Sequence, residues 1–161
     1  MYRRAIVPLD GSELAETIIP FLIEIAGPLD MSVVLLRVLE PLTPVVVEGS
    51  STVILENIEA RRREAEEYLA PLAADLRTRG VAVETAVRRG QPVSDEIVAA
   101  ARETGADLIA MTTHGRSGLG RLLFGSVAEA LLRQAQVPVF LLRQTEAELA
   151  KQQRKVKEAV R

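Results

Sequence analysis

Four glycines and a serine in the last third of the chain have the spacing of a phosphate-binding loop. Gly115, Gly118, Gly120 and Gly125 are followed directly by Ser126, which opens a segment with helical periodicity. Glycine lets the backbone approach a ligand closely or adopt a positive φ angle. The free N–H groups and the dipole at a helix N-terminus favour an anion. This loop is therefore predicted to surround the phosphates of a bound nucleotide.

The loop matches neither of the two common phosphate-binding motifs. The chain has no G-x-x-x-x-G-K-[ST], and a G-x-G-x-x-G beginning at Gly118 fails because Leu123 stands at its last position. Ser126 could also be a simple helix N-cap, since Ser126-Val127-Ala128-Glu129 matches a capping box. The two roles are compatible, because a capping hydroxyl can also donate to a phosphate.

Three further side chains near these segments could do chemistry. Asp10 follows the first apolar run within an Asp-Gly pair, which is also a common turn, but its place at a strand end favours binding. His114, the only histidine, lacks the neighbouring groups that catalysis or a metal site needs, so loop packing or ligand contact is the favoured interpretation. Arg116 could neutralise phosphate charge.

Short apolar runs must form the strands that position these residues. Near-continuous apolarity is typical of strands buried on both faces of a parallel sheet. Five runs have strand length and are rich in β-branched residues: Ala5–Leu9, Val33–Val38, Val81–Val87, Leu108–Thr112 and Val139–Leu142.

Amphipathic segments between the runs predict helices, which makes the fold a doubly wound α/β sheet. Their expected bounds are Glu13 (capped by Ser12) to Gly27-Pro28, Leu55 to Arg79, Pro92 to Gly105, and a last helix from Ser126. Ligands bind such sheets beyond the carboxyl ends of the strands, where the strand order reverses. If the first and fourth strands are neighbours there, Asp10 and the glycine loop face one crevice.

Composition bounds the function classes. The 161 residues suit one domain, and a net charge of -2 with 3% aromatic residues argues against nucleic-acid binding. The chain has no cysteine, no signal-like segment and no apolar run that could span a membrane, so we expect a cytoplasmic protein. The irregular stretch Leu39 to Val53 could cover a ligand, touch a second subunit or extend a strand.

The segment Met111 to Leu142, together with Pro8-Leu9-Asp10-Gly11-Ser12, resembles the universal stress protein family over residues 1–143. The resemblance implies an open five-stranded parallel sheet of order 3-2-1-4-5 with helices on both faces. Residues 144–161, which hold all three lysines, are then expected to be a charged helical extension.

The nucleotide-binding branch of this family is similar to G-x-x-G, nine residues, then G-[ST]. Gly115, the nine residues 116–124 and the pair Gly125-Ser126 fit that spacing, but Thr112 stands in place of the opening glycine. Threonine could narrow the pocket, or its hydroxyl could contact the sugar. The site residues that the resemblance implies, with Arg116 added for its charge, are Pro8, Asp10, Val38, Met111, Thr112, His114, Gly115, Arg116, Gly125, Ser126 and Val127.

The predicted function is that of an adenine-nucleotide sensor or regulator in a stress response, acting on an unidentified downstream protein. The ligand is ATP or AMP, with any Mg²⁺ held by the phosphates. The sequence offers no lysine clamp, carboxylate cluster or evident base, so no catalytic or metal-binding residue is assigned and little or no hydrolysis is expected. The alternatives are a nucleotide-free dimeric interaction module and a slow ATPase.

Residues Val139 to Arg143 are expected to form the last strand at one edge of the sheet. A bare apolar edge tends to pair, and natural proteins cover it or use it. The edges of two copies are therefore predicted to meet antiparallel in a two-fold homodimer, which the resemblance also implies.

Overall fold

The computed structural model describes residues 2–42, 57–115 and 125–145, with the backbone alone at positions 114, 115, 144 and 145. All strand pairs are parallel, in the order β3-β2-β1-β4-β5. The strands are β1 (Arg4–Pro8), β2 (Ser32–Leu39), β3 (Val83–Arg89), β4 (Leu108–Gly115) and β5 (Val139–Thr145). The helices are α1 (Glu13–Glu16), α2 (Ile18–Ala26), α3 (Ile58–Thr78), α4 (Val93–Thr104) and α5 (Ser126–Gln134). The predicted sheet is confirmed.

Helices cover both faces of the sheet, because successive strand residues point to opposite sides. On β2, Val33 and Leu35 face the core that α2 and α3 complete, whereas Val34 and Leu36 face the core of α4 and α5. All four of these side chains are buried. Burial on both faces explains why the strand appears in the sequence as one continuous apolar run.

The first predicted helix is wrong as a single element, because the structure breaks it at Thr17. The Thr17 N–H and hydroxyl both donate to the Leu14 carbonyl oxygen, at 3.1 and 2.6 Å, which tightens the chain into a turn. Helix α2 then begins at Ile18 and carries Pro20 in its first turn, the place where a missing N–H is tolerated. The spacing of apolar residues in the sequence does not reveal such a break.

Helix ends were predicted with mixed success. Ser12 caps α1 by accepting from Ala15 N–H at 3.1 Å, and Gly105 ends α4 with φ +68°. The capping box at Ser126 is wrong: Gly125 is the N-cap residue, and its carbonyl oxygen accepts from Glu129 N–H at 3.0 Å. The predicted helix start at Leu55 and most of the stretch Leu39 to Val53 lie outside the described residues, as do residues 146–161.

The strand ends shift by one to three residues from the predictions. Strand β4 continues past Thr112 to Gly115, because β5 pairs alongside it as far as Thr145. Strand β3 begins and ends two residues later than expected. Within the three described ranges, no helix combines the length and apolarity needed to cross a membrane.

The sheet is split between its central strands β1 and β4. These strands pair at only two positions, Ala5 with Leu108 and Ile6 with Ile109, whereas β4 and β5 pair over seven. At the amino-terminal end, the Asp107 carboxylate accepts hydrogen bonds from the backbone N–H groups of Arg3 and Arg4, at 2.9 to 3.1 Å. The two strands are thus fastened at one end and separate at the other.

Candidate functional site

A cleft of about 390 Å³ lies at the carboxyl end of the split. This is the position at which open parallel sheets bind their ligands, since β1 and β4 are the neighbours where the strand order reverses. Its lining combines apolar and charged side chains from both faces of the sheet. The lining residues are Pro8, Leu9, Asp10, Ala15, Arg37, Val38, Glu40, Arg61, Val93, Ile97, Met111, Thr112 and Val127.

The structure brings a large part of the predicted site into this cleft. Pro8 and Asp10 come from the end of β1, Val38 from β2, Met111 and Thr112 from β4, and Val127 from α5. Four chain segments therefore converge, as expected for strand ends that share one edge of a sheet. That these residues contact a nucleotide stays a prediction.

The other predicted residues lie beside the cleft or outside the described ranges. Gly125 and Ser126 begin α5, are exposed and directly precede Val127. The backbone of His114 and Gly115 closes β4 three and four residues after Met111. Arg116 lies outside the described residues.

Asp10 is held as an ionised acceptor. Its Oδ1 accepts from both the N–H and the hydroxyl of Ser12, at 2.9 and 2.6 Å. Burial alone would raise the pKa of Asp10, but the bonds from Ser12 and the positive charge of Arg37 outweigh it and hold the pKa below its usual value. At neutral pH the carboxylate can therefore only accept hydrogen bonds from a ligand.

Thr112 contacts the residue at which the chain breaks between α1 and α2. Its hydroxyl lies 3.2 Å from the hydroxyl of Thr17, and both side chains are buried. Because the Thr17 proton is already given to the Leu14 carbonyl, Thr112 must be the donor of this hydrogen bond. Thr112 is also one of the residues that line the cleft.

Sequence reasoning gave no role in the site to two cations of the cleft wall. Arg37 interrupts the apolar run of β2 and donates from Nη1 to the Leu9 carbonyl oxygen at 3.3 Å. Arg61, from the first turn of α3, donates to the Glu40 carbonyl oxygen at 2.9 Å. The signal in the sequence was Arg37 itself, a charged residue near the carboxyl end of a strand that is otherwise almost entirely apolar.

A metal site is not evident in the part of the chain that the structure describes. There, no group of three or more histidine, aspartate or glutamate side chains is arranged to hold a metal ion. The cleft therefore offers hydrogen-bond acceptors, apolar walls and guanidinium groups, which suit binding of a polar organic ligand with an apolar portion.

Comparison with known proteins identifies the family. The model of the universal stress protein family matches residues 1–143. A universal stress protein of Methanocaldococcus jannaschii is 33% identical over 150 residues, which cover 92% of this chain and 86% of the relative.

Solved structures agree with this assignment. A universal stress family protein from Burkholderia pseudomallei superposes with a TM-score of 0.67 at 29% identity, covering 88% of this chain and 96% of the other. One from Archaeoglobus fulgidus, in complex with dAMP, gives a TM-score of 0.61 at 25% identity, covering 87% and 97%. On its fold, its sequence and the matched family model, this chain belongs to the universal stress protein family.

Proposed function

We propose that this protein binds an adenine nucleotide, ATP or AMP, in the cleft between β1 and β4. The observation that carries the proposal is the convergence of Pro8, Asp10, Val38, Met111 and Thr112 on one cleft at the split. A volume of about 390 Å³ falls within the range of small-molecule sites, which is about 300–1,000 Å³.

The nucleoside part would lie between the apolar walls. Val38, Met111 and Val127 give nonpolar surface for the base, and the ionised Asp10 would accept from the nucleoside. Backbone groups near Val38 would contact the edge of the base. The relative from Archaeoglobus fulgidus, whose structure holds dAMP, supports this choice of ligand.

The phosphates would lie against the start of α5. Gly125, Ser126 and Val127 carry backbone N–H groups at a helix N-terminus, which favour anions. Gly115 is the last residue of β4. Any Mg²⁺ would be held by the phosphates.

The role that fits this site best is a sensor or regulator with little or no hydrolysis. Phosphoryl transfer needs a positioned nucleophile and charge neutralisation around the transferred group. The Oδ1 of Asp10, the carboxylate at the end of β1, is already engaged by two hydrogen bonds from Ser12. The second candidate, a nucleotide-free interaction module, is favoured by one observation: Thr112 occupies the position of the motif's opening glycine.

Nucleotide released from purified, denatured protein tests the proposal. Chromatography should detect ATP or AMP, and added AMP should raise the melting temperature of nucleotide-stripped protein. Asp10→Asn should weaken this shift, whereas Asp75→Asn, on the exposed face of α3, should not. If no nucleotide is released and neither ATP nor AMP raises the melting temperature, nucleotide binding is excluded and the interaction module is favoured.

We further propose a homodimer through β5, with residues beyond the strand forming an appended extension. Strand β5 pairs with β4 alone among the described strands, and Phe140 on it is 36% exposed. Light scattering at micromolar concentration should give twice the chain mass. Phe140→Glu should halve that mass, while Leu132→Glu, at a more exposed apolar site on α5, should not. A monomeric wild type would contradict the dimer.

A further inference from the structure

An apolar groove of about 250 Å³ opens between helix α2 and the β5 side of the sheet, at the amino ends of the strands. Residues of α2 at helical spacing form one wall, and residues of β4 and β5 form the other. Among the described helices, α2 alone contributes to the lining. The walls include Ile18, Leu22 and Ile25 on α2 and Leu108, Ala110 and Phe140 on the strands.

Exposed aromatic side chains gather at this apolar groove. The chain has three phenylalanines, two tyrosines and no tryptophan. Three of these five residues are exposed here: Tyr2 and Phe140 line the groove, and Phe21 lies on α2 between Ile18 and Ile25. Exposed apolar surface that is concentrated in this way marks a place where another segment or another molecule packs.

Residues 146–161, named here the tail, directly follow β5 and have the pattern of an amphipathic helix. The tail has no glycine or proline and, apart from two valines, consists of strong helix formers. On a helix, Leu149, Val156 and Val160, at steps of seven and four, fall on one narrow apolar stripe with every charged residue off it. A helix of this length is close to marginal in water on its own, so it needs a surface against which the stripe packs.

The tail has the length and the charge to occupy the groove. Strand β5 ends at Thr145, which lies about 20 Å beyond Val139 at about 3.3 Å per residue. A helix over residues 149–161 that runs back along the strand spans about 18 Å and leaves three residues for the turn. The tail carries five basic and three acidic residues, whereas residues 5–36, which include α2, carry five acidic residues and no lysine or arginine.

We propose that the tail folds as a helix and docks in the apolar groove of its own chain, beside α2. Its apolar stripe packs between the two walls, and its basic residues lie near Glu24 and Asp30, which are exposed on α2 and just after it. The docked helix covers a face of the sheet, so the outer backbone edge of β5 stays open to a second copy. This inference concerns a surface apart from the nucleotide cleft and does not rest on what the cleft binds.

Hydrogen exchange of the full chain, followed by mass spectrometry, tests whether the tail is docked. Amides of the tail should exchange at least about tenfold more slowly than those of an unstructured chain. Val156→Asp puts a carboxylate into the apolar stripe and should remove this protection, while protected amides in α3 show that the fold is intact. Ala150→Asp is the matched control, because it makes the same kind of change about 100° around the helix from Leu149 and should leave the tail protected.

Thiol labelling locates the docked tail, because the chain has no cysteine of its own. Ile25→Cys places a single thiol in the α2 wall of the groove. A maleimide should label Ile25→Cys at least about tenfold more slowly than the variant that combines Ile25→Cys with Val156→Asp, since only the docked tail covers this wall. Ile25→Cys combined with Ala150→Asp should label as slowly as Ile25→Cys alone.

Each contrary outcome overturns the proposal and leaves the proposed function untouched. Unprotected tail amides in the wild-type chain would show that the tail does not pack on the body. Labelling that Val156→Asp leaves unchanged would show that the groove is open or is covered by something else, such as a second copy. Excess wild-type chain, equilibrated with the Ile25→Cys and Val156→Asp variant, should leave its labelling fast; slow labelling would mean that the groove takes the tail of a second copy instead.

Discussion

The buried hydrogen bond between Thr17 and Thr112 links the α1–α2 break to the floor of the cleft, and its energy can be measured. The two hydroxyl oxygens are 3.2 Å apart, and the Thr17 proton goes to the Leu14 carbonyl oxygen at 2.6 Å. Thr112→Val removes one hydrogen bond, which costs about 1 kcal/mol of the free energy of unfolding. For a chain of this size that is a fall of about 2–4 °C in melting temperature.

Thr17→Val should cost more than Thr112→Val. It removes the bonds to both Leu14 and Thr112 and leaves the Thr112 hydroxyl a buried donor without its partner, for about 2 kcal/mol in all. The Leu14 carbonyl still accepts from the Thr17 N–H at 3.1 Å, so it adds little to this cost. The double variant leaves no orphaned donor and should cost about 2 kcal/mol, about 1 kcal/mol less than the two single changes together.

Urea unfolding of the four proteins, with the free energy extrapolated to water, measures this coupling. A matched control combines Thr112→Val with Thr104→Val, which removes a hydroxyl bonded to Ala100 O within α4 and should be additive. If the Thr17 and Thr112 changes are additive within about 0.3 kcal/mol, the hydroxyls do not interact and the donor assignment for Thr112 is refuted.

Two further predictions concern Asp10 and the glycines. The folded-state pKa of Asp10 lies below its unfolded value of about 3.9, so its stabilisation is present above that pH and is lost as the pH falls through the folded pKa. Asp10→Asn should therefore lose less stability than wild type between pH 7 and pH 3 in urea unfolding, and an equal loss would show that Asp10 gives no such stabilisation. Gly105→Ala should lower the free energy of unfolding by about 1–2 kcal/mol because φ is +68° at this position. Gly125 has a φ of -32° and open space around a Cβ, so Gly125→Ala should keep the melting temperature of wild type but bind AMP more weakly. Unchanged AMP binding by Gly125→Ala would argue against phosphates at the start of α5.

The sheet could be predicted from the sequence because each strand and each helix end is marked by residues within that segment. Each buried strand appears as an apolar run. Helix ends are marked by single residues, Ser12 through its side-chain acceptor and Gly105 through its left-handed backbone. The site followed from topology, since the ends of β1 and β4 must meet once the strand order is known. Neither inference needs side-chain contacts between distant residues.

The features that escaped prediction depend on long-range contacts. The break at Thr17 is made by local bonds to Leu14, but the Thr17 hydroxyl also contacts Thr112, 95 residues away. The guanidinium of Arg37 is held by Leu9, 28 residues away. Ser126 has the residue type of an N-cap, but the backbone places Gly125 there, because a sequence pattern does not fix the residue at which a helix starts. No local pattern distinguishes these cases.

The split between β1 and β4 divides the sheet into two halves that are joined at one end only. Three strands lie on one side and two on the other, and the join consists of two residue pairs and the carboxylate of Asp107. A ligand that contacts both strands at the open end would add a second set of contacts between the two halves. We expect the backbone amides along this line to exchange with solvent faster in the empty protein, and to slow when the two halves are bridged. Slower exchange of these amides on addition of AMP would then report that the ligand bridges the two halves of the sheet.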